Sequence, residues 1–184
     1  MMSPSINRKD MVFLFLTLFT LSIILLPLIC RSGSCETGGS IYEIYRSFHM
    51  ICHQQPERSY CISAYSGVPD ITSCSNLRMT GPYTFVSGSG RLYHQFPVCA
   101  RCLGFYLFFW LGYLTTYGYV RRLPSMRTFV LLILPLAVDG TGQLIGLWAS
   151  SNPIRFITGM LAGVVSGIFL GLMMEGIPRT ETGR

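Results

Sequence analysis

The sequence contains little charge and lacks the motifs that mark many soluble enzymes. Only 12% of its 184 residues are charged, and the 14 basic residues stand singly or flank apolar segments. Nucleic-acid binding requires basic residues clustered among exposed aromatic ones, and that pattern is missing. A Gly-x-Gly-x-x-Gly fingerprint, a phosphate-binding loop and a catalytic triad of the soluble type are missing too. These absences exclude a nucleic-acid partner and argue against nucleotide-dependent chemistry.

Apolar residues are abundant instead. They make up 50% of the chain and give a mean hydropathy of +0.45, which is typical of a membrane protein with several spans. A helix needs about 20 apolar residues to cross the hydrocarbon core of a bilayer. We therefore predict one all-α membrane domain over residues 1–184, with four transmembrane helices in the lipid bilayer at about 11–30, 99–120, 128–149 and 153–177. A cleaved signal peptide is the alternative interpretation of the first segment.

The basic residues near the predicted spans indicate a topology. Short loops that are rich in Lys and Arg stay on the cytoplasmic side of a membrane. The loop between the third and fourth spans has only Arg155, whereas the other basic residues collect at the opposite ends of the spans. We predict a multi-pass cell-membrane protein with both termini in the cytoplasm and the cysteine-rich segment 31–98 outside. The supporting residues are Arg8, Lys9, Arg121, Arg122, Arg127, Arg179 and Arg184.

The outer segment contains one predicted helix. Ser40 and Glu43 form a capping box, and apolar residues then recur at helical spacing as far as Cys52. This pattern predicts an extracytoplasmic amphipathic helix on the membrane surface or on top of the bundle, ending before Pro56. Residues 57–95 are predicted to form a loop, with a hairpin around residues 87–90.

The chain has seven cysteines, an odd number, so at least one is unpaired, metal-bound or linked to another chain. Cys61 and Cys74 lie in the outer loop and are candidates for a local disulfide. Cys99 and Cys102 follow Pro97 at the start of the second predicted span, where a helix N-terminus favours the thiolate. This pair is suited either to metal binding or to disulfide exchange.

Histidines accompany the cysteines in the outer segment. His49, Cys52 and His53 lie at the end of the amphipathic helix, at spacings that allow two of them to share an ion. We predict a zinc site of three thiolates and one imidazole, the closed tetrahedral arrangement of structural zinc. An open coordination position would instead favour hydrolysis of a membrane-associated substrate. The predicted ligands are Cys52, His53, Cys99 and Cys102, with His49 and His94 as alternates.

A polar face runs along the third predicted span. Asp139 and Gln143 are four residues apart, and an ionisable group inside a membrane usually faces a cavity or a polar partner. Asn152 and Arg155 continue this face toward the cysteines. A hydrogen bond to a neighbouring helix is the alternative role for Asp139. The candidates for a catalytic role are Asp139, Arg155 and Arg101.

Glycines recur every four residues in the fourth predicted span. Such a series forms a groove that a second helix approaches closely. That helix belongs either to this chain or to another copy, and the second option predicts a homo-oligomer or a different membrane partner. The glycines are Gly159, Gly163, Gly167 and Gly171.

Several motifs occur together in one order. They are Cys52-His53-Gln54 with Pro56 and Arg58, then Pro97-Val98-Cys99-Ala100-Arg101-Cys102, then Asp139-Gly140, Gln143, Asn152 and Arg155. Over about residues 48–171 the sequence thereby resembles the prokaryotic membrane proteins grouped as domain of unknown function 2085. The resemblance implies a small helical membrane protein without an established biochemical role. The stretch between Arg58 and His94 is longer than the family pattern.

Two further hypotheses compete with the metal site. A membrane thiol-disulfide oxidoreductase would use Cys99 and Cys102 as its redox pair, Cys61 and Cys74 as a relay, and a quinone as cofactor. That layout is similar to the bacterial quinone-linked disulfide-forming enzymes, but it leaves Cys52 and His53 without a role. A transporter or channel component would use Asp139 and Gln143 as a polar path, together with a partner.

Overall fold

The computed structural model describes residues 7–30, 39–63 and 69–175. Residues 31–38, which include Cys35, and residues 176–184, which carry Arg179 and Arg184, lie outside the described part. The helices are α1 Arg8–Ile29, α2 Ser40–Ser47, α3 Ala100–Thr115, α4 Met126–Leu144 and α5 Asn152–Met174. The strands are β1 Tyr60–Ser63, β2 Asp70–Ser73, β3 Arg78–Gly81, β4 Thr84–Val86 and β5 Leu92–Gln95.

The strands form an antiparallel five-stranded sheet in the order β2-β1-β5-β4-β3, so the prediction of an all-α protein is wrong. The predicted hairpin is present: Phe85 of β4 pairs with Tyr93 of β5. The other three strands were not predicted, because their residues do not alternate between buried and exposed positions. A disulfide between Cys61 and Cys74 packs against Phe85 and Tyr93 in the centre of this layer.

The prediction of four transmembrane helices is also wrong, because among the helices of the described residues only α1 and α5 are long and apolar enough to cross a membrane. They have 22 and 23 residues and lie close to the predicted spans 11–30 and 153–177. The predicted span 99–120 contains α3, whose 16 residues extend about 24 Å, short of the about 30 Å hydrocarbon core. The predicted span 128–149 contains α4, which includes Arg127, Asp139 and Gln143 and ends at Leu144. These polar side chains make α4 less apolar than α1 and α5.

The glycine groove of α5 is filled by α3 of the same chain. A Cβ atom added to Gly159, Gly163 or Gly167 would overlap the backbone carbonyl oxygens of Arg101, Phe105 and Phe109 respectively. The contact is reciprocal, since Gly104 and Gly112 of α3 face the carbonyl oxygens of Phe156 and Val164 in the same way. Residue numbers rise together along both helices, so α3 and α5 are parallel and touch backbone to backbone. The fourth glycine, Gly171, lies against Thr116 just beyond α3.

The bundle has two distinct ends. At one end Lys9 of α1 forms an ion pair of 2.8 Å with Glu175 and donates a hydrogen bond of 2.9 Å to the carbonyl of Thr116. At the other end Asn152, the first residue of α5, donates through its amide to the carbonyl of Ser59, next to β1. The sheet therefore covers the end at which α3 and α5 begin, and the start of α1 meets the end of α5 at the opposite end.

Candidate metal centre

Three thiols meet where α3 begins. The sulfur atoms of Cys52, Cys99 and Cys102 all lie within 4.8 Å of one another. Cys99 is the N-cap residue of α3 and Cys102 is the third residue of the helix, so both side chains project from its N-terminal turn. Cys52 comes from the turn after α2, and its sulfur accepts a hydrogen bond of 3.1 Å from the backbone N–H of Cys99. The cluster thus links two segments that are 47 residues apart in the chain.

Gln54 holds the Cys52 segment in position. Its side chain is buried, and Nε2 donates hydrogen bonds to the carbonyls of Tyr45 (2.8 Å) and Pro97 (2.7 Å). The backbone carbonyl of Gln54 accepts from Nε2 of Gln95 at 2.7 Å. The backbone of Gln54 has a φ of 49°, a left-handed conformation that costs a residue with a side chain about 1 to 2 kcal/mol. These hydrogen bonds offset that cost and turn the chain so that Cys52 faces Cys99.

The three thiols differ in acidity. The pKa of Cys99 is lowered because its sulfur accepts hydrogen bonds from the thiols of Cys102 and Cys52 and from the backbone amides of Cys102 and Arg101, which together outweigh burial. The pKa of Cys102 is raised because its thiol is held by hydrogen bonds to Cys52 and Cys99 and because it is buried. The hydrogen bonds around Cys99 therefore favour its thiolate form. A thiolate is the form that binds metal or attacks a disulfide.

Apolar side chains enclose the cluster. Cys52 is buried, while Cys99 and Cys102 are half-buried. Tyr45, Phe48, Phe96, Val98 and Leu103 belong to the same buried core, and partly buried Phe19, Tyr106 and Phe156 pack against it. This environment limits access by water and strengthens electrostatic interactions at the sulfur atoms.

The predicted histidine ligands do not join the thiols. His49 and His53 are exposed, and neither belongs to the cluster. His94 is buried in β5 opposite Ile62, where burial lowers its pKa, and it is also outside the cluster. Within residues 7–30, 39–63 and 69–175, the three cysteines are the only group of three or more side chains placed to share a metal ion.

The predicted polar face forms a hydrogen-bonded network next to the thiols. Arg101, between the two cysteines of α3, makes an ion pair with Asp139 of α4. The carboxylate of Asp139 also accepts from Gln143 at 3.0 Å, from the hydroxyl of Ser150 and from the indole of Trp148 at 3.4 Å. Asp139 is thus held by four side chains, two of which, Ser150 and Trp148, were not predicted to take part.

Arg155 continues this network into α5. Its Nε donates to Oε1 of Gln143 at 3.2 Å, and its Nη1 donates to Oδ1 of Asn152 at 3.0 Å and to the carbonyl of Glu57 at 3.4 Å. Asn152 in turn donates to the carbonyl of Ser59 at 3.1 Å. The network therefore joins α3, α4 and α5 to the segment that precedes the sheet.

Some residues that build the site had no predicted role. Gln54 belongs to the Cys-His-Gln motif, but the sequence did not indicate that its side chain binds two backbone carbonyls. Gln95 and Ser59 form the next hydrogen bonds, with 3.0 Å between Nε2 and the hydroxyl oxygen. One feature of the sequence could have indicated a role for Gln95. It lies near the end of a predicted strand of the hairpin, two residues before the Pro-x-Cys motif.

This arrangement defines a helical membrane protein with a sheet at one end of its bundle and a thiol cluster between the two. The chain belongs to the family described as predicted membrane proteins with domain of unknown function 2085, whose model matches residues 92–173. This confirms the resemblance drawn from the sequence motifs.

Two archaeal relatives extend the match to most of the chain. An uncharacterised protein of Methanocaldococcus jannaschii is 33% identical over 153 residues, which are 79% of this chain and 79% of the relative. An uncharacterised protein of Methanothermobacter thermautotrophicus is 32% identical over 123 residues, which are 64% of this chain and 81% of the relative. No solved structure matches the chain.

Proposed function

We propose that this membrane protein binds a thiophilic metal ion, zinc in the first instance, through Cys52, Cys99 and Cys102 on the outer side of the cell membrane. The observation that supports the proposal is the convergence of three sulfur atoms within 4.8 Å. Thiolate ligands suit zinc and softer ions, and they exclude magnesium and calcium, which prefer oxygen.

The three thiolates leave one coordination position of the metal ion without a protein ligand. Three protein ligands leave one position of a tetrahedral zinc ion for water or another small ligand. Asp139 would be a candidate base for hydrolysis at such a site, but its carboxylate is occupied by Arg101, Gln143, Ser150 and Trp148. We therefore favour reversible binding of the ion over hydrolysis. The network of Asp139, Gln143, Asn152 and Arg155 then supports the metal centre rather than a reaction.

The positions of the two bundle ends support the proposed orientation. Lys9 and Glu175 meet at the end opposite the sheet, which brings the start of α1 and the end of α5 to one side. Arg121, Arg122 and Arg127 lie in and beside the connection between α3 and α4, which reaches the same side. Positive residues favour the cytoplasmic side, and the Cys61–Cys74 disulfide suits an oxidising compartment. Both termini would then be cytoplasmic and the thiols extracytoplasmic.

A thiol-disulfide oxidoreductase is the second candidate, because Cys99 has a lowered pKa and Cys102 lies beside it. The burial of the Cys61–Cys74 disulfide, which would serve as the relay, argues against an oxidoreductase. Cys61 is 0% and Cys74 is 1% exposed, and both are packed among Phe85 and Tyr93. Exchange requires a thiolate to reach a disulfide sulfur, and this burial prevents that approach.

Metal analysis combined with thiol counting tests the proposal. Protein purified in detergent without chelator should carry about one zinc per chain, and Cys52→Ser and Cys99→Ser should each lose it. His53→Ala is the matched control, because His53 is exposed beside Cys52 and outside the cluster. Protein that contains no metal, does not take up added zinc and has a readily reducible Cys99–Cys102 disulfide would overturn the zinc proposal and support the redox alternative.

A further inference from the structure

Two arginines near the start of α5 have more N–H groups than acceptors. An arginine side chain carries five N–H donors and no acceptor. Arg155 is 7% exposed, and its guanidinium donates only to neutral oxygens. These are the oxygens of Gln143, Asn152 and Glu57, and the Nη2 of Arg155 has no partner among the described residues. The Nε of Arg101 is buried and lacks a partner there too. Buried donors are nearly always paired, so these groups are available to acceptors on another molecule.

A third arginine, Arg58, lies beside Arg155. The carbonyl oxygen of the preceding residue, Glu57, is 3.4 Å from Nη1 of Arg155. The carbonyl of the following residue, Ser59, accepts from the amide of Asn152 at 3.1 Å. These two hydrogen bonds hold the backbone of Arg58 against the first turn of α5. The side chain of Arg58 is exposed and has no hydrogen bond or ion pair with the described residues.

The negative groups near these arginines are already engaged. Arg155 is repelled by Arg58 and Arg101 and attracted by Asp139 and Cys99. The carboxylate of Asp139 is held by four side chains, and the sulfur of Cys99 accepts hydrogen bonds from the neighbouring thiols. The exposed glutamate that precedes Arg58 forms no ion pair within the described residues. Neither Arg58 nor Arg155 therefore has a carboxylate of the described chain as an ion-pair partner.

The three arginines lie at the level of a membrane surface. Arg155 is in the first turn of α5, one of the two helices able to cross a membrane. Trp148, which is 45% exposed, lies shortly before this helix, and such tryptophans are typical of the membrane–water interface. The lipid headgroups occupy this level of a bilayer. Arg58 is exposed and the side chain of Arg101 is 24% exposed, so a ligand can approach from the protein surface.

We infer that Arg58, Arg101 and Arg155 bind a phosphate group, supplied either by a lipid headgroup or by free phosphate. The planar guanidinium group fits phosphate oxygens and binds them through paired, charge-assisted hydrogen bonds. A phosphate group has several acceptor oxygens, which suits the unpaired N–H groups of three arginines. This site is separate from the thiol cluster, and its function goes beyond the binding of a metal ion.

The competing explanation is that the arginines only join the helices and that water satisfies their remaining N–H groups. This explanation predicts that removing Arg58 affects phosphate binding no more than removing any other exposed arginine. Arg78 provides the comparison, because it is exposed in β3 and forms no ion pair. β3 is three strands away from β1, about 14 Å at the usual strand spacing.

The experiment measures ligand binding to the full-length protein in a maltoside detergent by titration calorimetry, at about 0.1 M salt to screen distant charges. The probes are inorganic phosphate, dioctanoyl phosphatidylglycerol and dioctanoyl glycerol, which has the same acyl chains but no phosphate. Arg58→Gln should weaken binding of the phosphate-bearing probe about tenfold, the effect of losing a charged hydrogen-bond donor. Arg78→Gln should change it less than about twofold. Arg155→Met should weaken it at least as much as Arg58→Gln.

The pattern of binding identifies the source of the phosphate. Binding of phosphatidylglycerol alone supports a lipid headgroup site, and binding of inorganic phosphate alone supports a site for the free ion. Equal losses for both probes in Arg58→Gln support recognition of the phosphate group itself. Arg58 is exposed, so Arg58→Gln keeps the inference testable if Arg155→Met does not fold. Failure of both phosphate probes to bind, equal effects of Arg58→Gln and Arg78→Gln, or equally tight binding of dioctanoyl glycerol and phosphatidylglycerol without binding of free phosphate would overturn the inference.

Discussion

Replacing Gly163 by alanine tests the backbone contact between α3 and α5. A Cβ at this position would overlap the carbonyl oxygen of Phe105 and lie 3.0 Å from the nitrogen of Phe109. Both neighbours are helix backbone, so relief requires the two helices to separate. Overpacking of this kind costs about 3 kcal/mol, and alanine regains about 1 kcal/mol through its higher helix propensity. The expected net loss is therefore about 2 kcal/mol.

Gly140→Ala is the matched control for this substitution. Gly140 lies in α4, and an added Cβ would meet only Nη1 of Arg101 at 3.6 Å, an ordinary van der Waals distance. We expect this variant to be as stable as the wild type or slightly more stable. Thermal unfolding in detergent should place Gly163→Ala about 4 to 8 °C lower, the shift for about 2 kcal/mol in a chain of this size. Equal melting temperatures for the two variants would refute the backbone contact between α3 and α5.

Two further predictions concern the thiol cluster. Gln54→Ala should destabilise the protein by about 2 kcal/mol, because the buried carbonyls of Tyr45 and Pro97 lose their hydrogen-bond donor. It should also speed the alkylation of Cys52. An unchanged melting temperature and an unchanged alkylation rate would contradict this prediction. In chelator-treated protein, the lowered pKa of Cys99 predicts that its alkylation rate stays nearly constant from pH 8 to pH 6, whereas an ordinary thiol slows roughly tenfold per pH unit. The same shift affects stability: ionised Cys99 stabilises the folded protein at pH values above the pKa of this thiol in the unfolded chain. That stabilisation is lost as the pH falls through the pKa of Cys99 in the folded protein. Peptide-level mass spectrometry measures the rate, and a tenfold loss per unit would refute the thiolate assignment.

The two long apolar runs were the most predictable part of the fold. Continuous hydropathy over about 20 residues is a local property, so α1 and α5 were located within a few residues. The same criterion failed for α3, because apolar residues continue to Val120 although the helix ends at Thr115. The sheet depends on pairing between short segments, such as Cys61 with Gln95, that are distant in sequence. Local patterns do not encode such pairing, and the β4–β5 hairpin was predicted because alternating residues flank the Gly-rich turn at residues 87–90.

The sequence predicted which cysteines form the candidate site, but not which other side chains lie beside them. Cys52, Cys99 and Cys102 were proposed as one ligand set, and the structure brings these three sulfur atoms together. The histidines were chosen for their spacing along a helix, but the helix changes to a 3₁₀ turn at Phe48 and a left-handed residue follows at Gln54. Helical spacing therefore did not apply beyond residue 47.

The backbone contact between α3 and α5 also has a consequence for biogenesis. Ribosomes deliver the chain from its N-terminus, so Cys52, Cys99 and Cys102 all emerge before Gly159, the first glycine that receives α3. At about 24 Å, α3 is too short to be retained in a bilayer by its own length. We expect α3 to be inserted only after α5 has been synthesised and can receive it. The nascent protein would then expose its thiols until α5 has been synthesised, so the three sulfur atoms would come together only as a late step of maturation.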